Sequence, residues 1–179
     1  ENSHTILERM KSYNGDKAAG TEVVIPNKSF SEKSIFTLGG LEFHVLYLGP
    51  AHGPGDTQVW LPQLSLIIAG DMAFHERMLP VFENTCTKCW LETWDEKFAP
   101  LNATYVIPGH GHPTNMAQVT RFTRNYLLDL RSKILEVLEN DGDLAEAFYV
   151  DQERWRSLDT FEELAKRNAG RVFEEMEFE

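Results

Sequence analysis

Cysteine is almost missing from this chain of 179 residues: Cys86 and Cys89, in Cys86-Thr-Lys-Cys89, are the only two. A lone Cys-x-x-Cys offers two of the four ligands that a structural zinc needs. A redox motif normally opens a helix after a strand, and the polar Glu83-Asn84-Thr85 before it gives little support. Unremarkable thiols, a local disulfide, and metal or redox work all stay open. Basic residues are also in short supply, with 17 Lys and Arg against 28 Asp and Glu and a formal net charge of −11. That balance excludes the basic patch on which nucleic-acid binding depends, so no nucleic-acid partner is expected. No apolar run approaches about 18 residues, so no membrane-spanning helix and no membrane partner are expected. An initiator methionine is missing as well. The sequence starts at Glu1, and the expectation is a processed form or a piece of a longer protein. None of these absences fixes a compartment.

What is present fits a globular fold. The chain is 42% hydrophobic and 25% charged, values ordinary for a packed domain. A single domain over 1–179 is expected, with a sandwich portion to about 117 and a helical portion from about 118. The late acids Glu162, Glu163, Glu174, Glu175, Glu177 and Glu179 read as a solvated helical face.

Periodicity predicts a helix over Ser3–Tyr13 and strands at 23–25 and 35–38. Gly39-Gly40 then makes a two-residue hairpin turn, because glycine tolerates the positive φ of such turns. The return strand, 41–48, places Leu41, Phe43, Val45 and Tyr47 on one face. Two more strands, 58–61 and 64–69, flank Pro62-Gln63, and the continuously apolar second one is expected to be buried on both faces. Trp90, Trp94 and Phe98, four residues apart, suit a helix packing its aromatics into the core. A strand at 104–107 precedes a long amphipathic helix carrying Val119, Phe122, Tyr126, Leu127, Leu130, Ile134 and Leu138. Thr160 and Glu163 have the spacing of a capping box for a last helix.

The informative pattern is positional. Three apolar strands each end in a Gly- or Pro-bearing loop that presents a candidate ligand: His52 and Asp56 after the first, Asp71 after the second, His110 after the third. Imidazole and carboxylate together suit zinc, iron or manganese. An aspartate has two oxygens and can bridge two cations, which together activate water and polarise a carbonyl or phosphoryl oxygen. Taken singly, each residue has a plainer role. His52 and His110 can be hydrogen-bonding loop residues, Asp71 a helix N-cap, and Asp56 the start of an Asx-turn.

"GPAHGPGDTQVWLP", "LIIAGDMAF" and "YVIPGHG" resemble, in order and spacing, the second half of the metallo-β-lactamase superfamily, over about residues 35–114. The resemblance implies an α/β fold of the αββα sandwich type, here its C-terminal half followed by C-terminal helices. It also implies that His52 binds one metal, Asp71 bridges two, and His110 binds the second. The metals would be zinc, two in the intact protein, with iron or manganese as alternatives. Asp71 is similar to the bridging carboxylate of the glyoxalase II-like branch, whose members cleave thioesters, lactones or other esters. The implied reaction is attack on an acyl carbon by a metal-activated hydroxide, with a small molecule as substrate. The family's earlier His-x-His-x-Asp-His motif does not occur in this sequence. Each metal would then keep one histidine and a share of Asp71, so truncation is the expectation, with activity of this chain alone absent. Ala51 and Gly53 also depart from the family pattern, without removing a ligand.

Asp56 is a candidate to orient His52, and His75 and His112 are candidates to line a pocket. His4 and His44 read as structural or solvent-facing. The rival reading is a non-catalytic half-fold that binds a partner or forms a homo-oligomer or domain-swapped dimer, because half a sandwich exposes strand edges and an apolar sheet face.

Overall fold

The structure, a computed structural model, describes residues 3–179. Two compact units divide the chain between Ser31 and Glu32. The first contains helix α1 (Ser3–Asn14), a 3-10 turn over Gly15–Ala18 and extended chain after it. The strand expected at 23–25 does not form. Val24 and Ile25 are exposed and belong to no sheet among the described residues.

The second unit is built on a five-stranded sheet in the order β1 (Lys33–Leu38), β2 (Leu41–Leu46), β3 (Gln58–Leu61), β4 (Leu66–Phe74), β5 (Tyr105–His110). β1 to β4 run antiparallel in a meander, and β5 joins β4 in parallel. Gly39 and Gly40, at φ +60° and +81°, make the tight turn between β1 and β2, a conformation other residues adopt at a cost. β2, β4 and β5 therefore all point the same way, and their C-terminal ends share one edge of the sheet. That shared direction gathers the candidate ligands.

Helix α2 (Thr87–Thr93), continued by a π turn over Trp94–Phe98, lies in the crossover from β4 to β5. After β5 come α3 (Met116–Val119), a π turn over Thr120–Arg124, α4 (Asn125–Glu139), α5 (Leu144–Ala147) and α6 (Phe161–Met176). The core is the layer between these helices and one face of the sheet. Trp90, Trp94 and Phe98 are fully buried in it with Ile67, Val106, Tyr126 and Ile134, as their spacing predicts. Asn168 ties α6 to the chain after β4: its side chain accepts from Val81 N–H and donates to Leu79 O and Tyr126 Oη. Burial pushes the Tyr126 hydroxyl well above its ordinary range, so it serves as a neutral hydrogen-bonding group.

Two expectations change. β4 is not buried on both faces. Val45, Val59, Ile68 and Ile107 stand opposite one another across the sheet, and Ile68 is 40% exposed while its neighbours Ile67 and Ala69 are at 0%. The second correction is at Thr160, which has φ +63° and makes no side-chain cap. Its hydroxyl donates instead to Asp159 O at 2.6 Å. The capping box of this fold is instead Asp143 with Glu146 at the start of α5.

Candidate metal centre

The loop after β2 is pinned before it presents a side chain. Thr93 Oγ1 donates to Pro50 O at 2.8 Å, Thr85 Oγ1 to His52 O at 2.7 Å, and Gly53 N–H to Asp56 Oδ2 at 2.8 Å. Asp56 thus closes the loop on itself, through backbone rather than through the His52 ring. Burial pushes its carboxyl up, against the pull of the Gly53 amide and His52.

Aromatic rings set the His52 imidazole. Phe82 meets it edge-on at 5.1 Å and Trp90 at 5.9 Å, with Phe74 tilted at 5.9 Å. Burial among these rings lowers its pKa below the ordinary 6.5, opposed by Asp71 and Asp56 and aided by His110. A neutral ring is the form that offers a lone pair to a cation. Its Nε2 is buried and has no hydrogen-bond partner among the described residues.

Asp71 lies within β4 rather than at a helix start. The strand runs on to Phe74, with irregular pairing to β5 between Ile68 and Gly70 and again before Phe74. Gly70, at φ +56°, turns the chain there. Gly109 across the pair leaves the space that the carboxylate fills, since a Cβ on it would sit 2.2 Å from Asp71 Oδ1. Asp71 Oδ1 lies 3.5 Å from His110 Nε2, and Oδ2 lies 3.9 Å from His52 Nδ1. Each carboxylate oxygen thus faces a different histidine.

Phe74 stacks on the His110 ring at 5.1 Å. Arg77 Nη1 donates to its Nδ1 at 3.1 Å. An imidazole that accepts at Nδ1 carries its proton on Nε2 when neutral, toward Asp71. A cation at Nε2 requires the proton on Nδ1 and a shift of Arg77.

The other candidates sit beside this group. His75 N–H donates to His110 O at 3.0 Å, while its ring Nδ1 lies 3.1 Å from His112 O. His112 is 85% exposed and its ring turns to Glu76, at 2.6 Å. The pairing holds His112 above its ordinary pKa and Glu76 below its own. Cys86 and Cys89 form a disulfide across the first turn of α2, which settles the three alternatives left for them. Sequence reasoning missed Arg77, Thr85, Gly109 and the aromatic wall of Phe82 and Trp90. Only Arg77 had a signal, in His75-Glu-Arg77 directly after an apolar strand.

The donors are chemically suited to a divalent cation, but each side of Asp71 offers one imidazole and one carboxylate oxygen. Among the described residues no three His, Cys, Asp or Glu side chains are grouped to hold one ion. The set fits as part of a centre.

The family model described as the metallo-beta-lactamase superfamily matches residues 3–110. The chain belongs to that superfamily. It is 26% identical over 123 residues to a protein named metallo-beta-lactamase type 2 from Bacteroides fragilis, spanning 66% of this chain and 49% of the relative. The chain thus covers about half the length of that curated relative. The inverting sec-alkylsulfatase Pisa1 from Pseudomonas sp. superposes over 85% of this chain and 27% of its own, with a TM-score of 0.65 and 18% identity. That likeness is one of fold, and it supports the expected α/β architecture: a β-layer with its helical cover.

Proposed function

We propose that this superfamily member is a metal-dependent hydrolase in which His52, Asp71 and His110 are part of a dinuclear centre. The observation that carries this reading is Asp71, whose two oxygens face two different histidines at 3.5 and 3.9 Å. Zinc is the favoured metal, with iron or manganese as alternatives, since imidazole and carboxylate suit all three. Zinc takes about four ligands, so a complete centre would need donors in addition to these three residues. When bound, the cations supply Lewis-acid polarisation of the scissile bond and a nucleophilic water. The chain's own residues do the rest. Asp71 would offer one oxygen to each position, burial among the aromatic rings lowers the His52 pKa and so favours the form that binds a cation, and Phe74 stacks on the His110 ring. The substrate is a small molecule with an ester, thioester or lactone-type bond, in line with the glyoxalase II-like resemblance of the Asp71 motif.

Asp71→Asn keeps the shape and removes the charge. Zinc competition against a chromophoric chelator should show affinity falling by on the order of 100-fold in the variant, from the charge-assisted contacts it loses. Equal affinity would remove Asp71 from the centre.

A second reading is favoured by the uncovered sheet face. Phe36, Ile68 and Tyr105 are 48%, 40% and 59% exposed, and β1 is an edge strand exposed throughout. In this reading the chain is a non-catalytic half-fold that forms a homo-oligomer or domain-swapped dimer. Sedimentation of the wild type and of Ile68→Glu tests it: a dimer that the charge dissolves supports it, and a wild-type monomer at all concentrations refutes it.

A further inference from the structure

Thr120 and Thr123 stand in the same π turn, and their hydroxyls are used differently. Thr120 Oγ1 donates to Met116 O at 2.7 Å, four residues back, the ordinary local use of a threonine in a helix. Thr123 is fully buried, and its hydroxyl reaches the sheet. It accepts from Phe74 N–H at 2.8 Å and donates to Phe74 O at 3.1 Å, across 49 residues of sequence. One hydroxyl thus satisfies both backbone polar groups of one strand residue. The sheet explains the need. Pairing of β4 with β3 ends at Ile68, so Phe74 has β5 on one side and no strand on the other among the described residues.

Phe74 carries the ring that both candidate histidines share. It stacks on His110 at 5.1 Å with 22° between the planes, and lies tilted against His52 at 5.9 Å. A movement of its backbone therefore moves a ring that touches both, because closely packed interiors transmit displacement. The turn that holds it is itself held. Arg124 makes a two-pronged pair with Asp95, at 2.5 and 2.8 Å. Asp95 lies in the π turn that follows Thr93, whose hydroxyl anchors Pro50 O in the loop of His52. The anchor of Phe74 and the anchor of the His52 loop are thus tied together on the helical side. Turns of the π type are rare and are often found at functional sites.

We propose that Thr123 is a positioning residue for the metal centre: its grip on the Phe74 backbone sets how the His110 and His52 rings face each other across Asp71. Thr123 acts through Phe74 rather than on a ligand atom. Its bearing on metal rests on the hydrolase reading; the positioning of the two rings does not.

The test follows the ring protons of His110 and His52 by NMR in the metal-free full chain at one fixed pH. Zinc affinity from chelator competition is the second readout. Thr123→Val keeps the shape and removes the hydroxyl, leaving the Phe74 N–H and C=O unpaired. The ring-proton shifts of both histidines should move, since a displaced Phe74 ring changes the field at each. Zinc affinity should fall about 10–100-fold, the range for groups that orient metal ligands. Thr123→Ser keeps the hydroxyl and should return both readouts most of the way to the wild type. Phe74→Leu keeps the backbone bonds and removes the ring, so it should reproduce the zinc loss with Thr123 intact. It also decides the question if the valine variant fails to fold. Val172→Ala, a buried position on α6, costs stability elsewhere and should change neither readout. Unmoved ring shifts in a folded Thr123→Val, a serine variant no better than the valine one, wild-type zinc affinity in Phe74→Leu, or an equal change in Val172→Ala overturns the proposal. Moved rings with no metal-dependent hydrolysis in the intact protein would instead leave the positioning standing and refute the hydrolase reading.

Discussion

Thr85 donates its hydroxyl hydrogen bond to the backbone carbonyl of His52, 2.7 Å away, and the same oxygen accepts from Phe82 N–H at 3.1 Å. One side chain thus ties the histidine's backbone to the segment that carries its aromatic wall. Thr85→Ala leaves an acceptor and a donor unpaired in a partly buried place, at a cost of about 1–3 kcal/mol. Urea unfolding should show the midpoint fall with an unchanged slope, and Thr85→Ser should restore most of it. An unaltered midpoint in the alanine variant would separate the hydroxyl from the stability of this loop.

Gly109 is constrained by Asp71. Its φ is not the issue; an added Cβ would meet Asp71 Oδ1 at 2.2 Å and the Gly70 backbone at 2.7 and 2.8 Å. The carboxylate can swing away but the backbone has to shift. Gly109→Ala is therefore expected to cost about 1–3 kcal/mol, as overpacking does, and to weaken zinc binding along with it. Thermal unfolding and chelator competition on the same sample check both effects. A variant as stable and as metal-competent as the wild type would contradict this packing.

The exposed His112 and Glu76 pair gives a pH signature. Its main cause is the hydrogen bond between the two side chains, which holds His112 above its ordinary 6.5 and Glu76 below its ordinary 4.5. The raised histidine stabilises fully below 6.5, and its contribution fades as pH rises through its higher folded midpoint. The depressed glutamate stabilises fully above 4.5, and its contribution fades as pH falls through its lower folded midpoint. Both are fully present between those two ordinary values. NMR titration should show the His112 midpoint dropping in Glu76→Gln; identical midpoints would mean that the pair does not form in solution.

The disulfide between Cys86 and Cys89 closes a very short loop directly after Thr85. Chain-entropy reasoning gives a loop of this size about 2 kcal/mol. Cys86→Ser with Cys89→Ser should lower the urea midpoint accordingly, and a dithiol reductant should do the same to the wild type alone. A reductant effect that persists in the double variant would point away from this bridge.

Most of the sheet was legible in the residues, because β1 to β3 alternate and are bounded by Gly and Pro turns. Val23-Val-Ile25 has the same local character, yet forms no strand, since residue type cannot reveal the lack of a pairing partner. Asp71 reads as a loop ligand just past a strand end or as a helix cap, whereas the structure puts it inside β4. Its place in the strand goes with pairing partners, Pro108 opposite Gly70 and His110 opposite Phe74, that are distant in sequence. His52, Asp71 and His110 were visible as ligand types at strand ends. Arg77 and Thr85 were not, because their importance lies in contacts to an imidazole nitrogen and a backbone carbonyl that spacing does not encode.

The mixed sheet has a consequence for the order of folding. His52 and Asp71 are joined by the antiparallel meander of β2, β3 and β4, whose contacts are short in sequence. His110 reaches them only when β5 docks in parallel across residues 75–104, a closure whose entropy cost comes before its contacts are gained. The donors straddle the pairing that closes the longest stretch of chain in the sheet. A cation retained by all three would therefore act as a latch on the finished molecule, absent from every partly folded form that lacks β5.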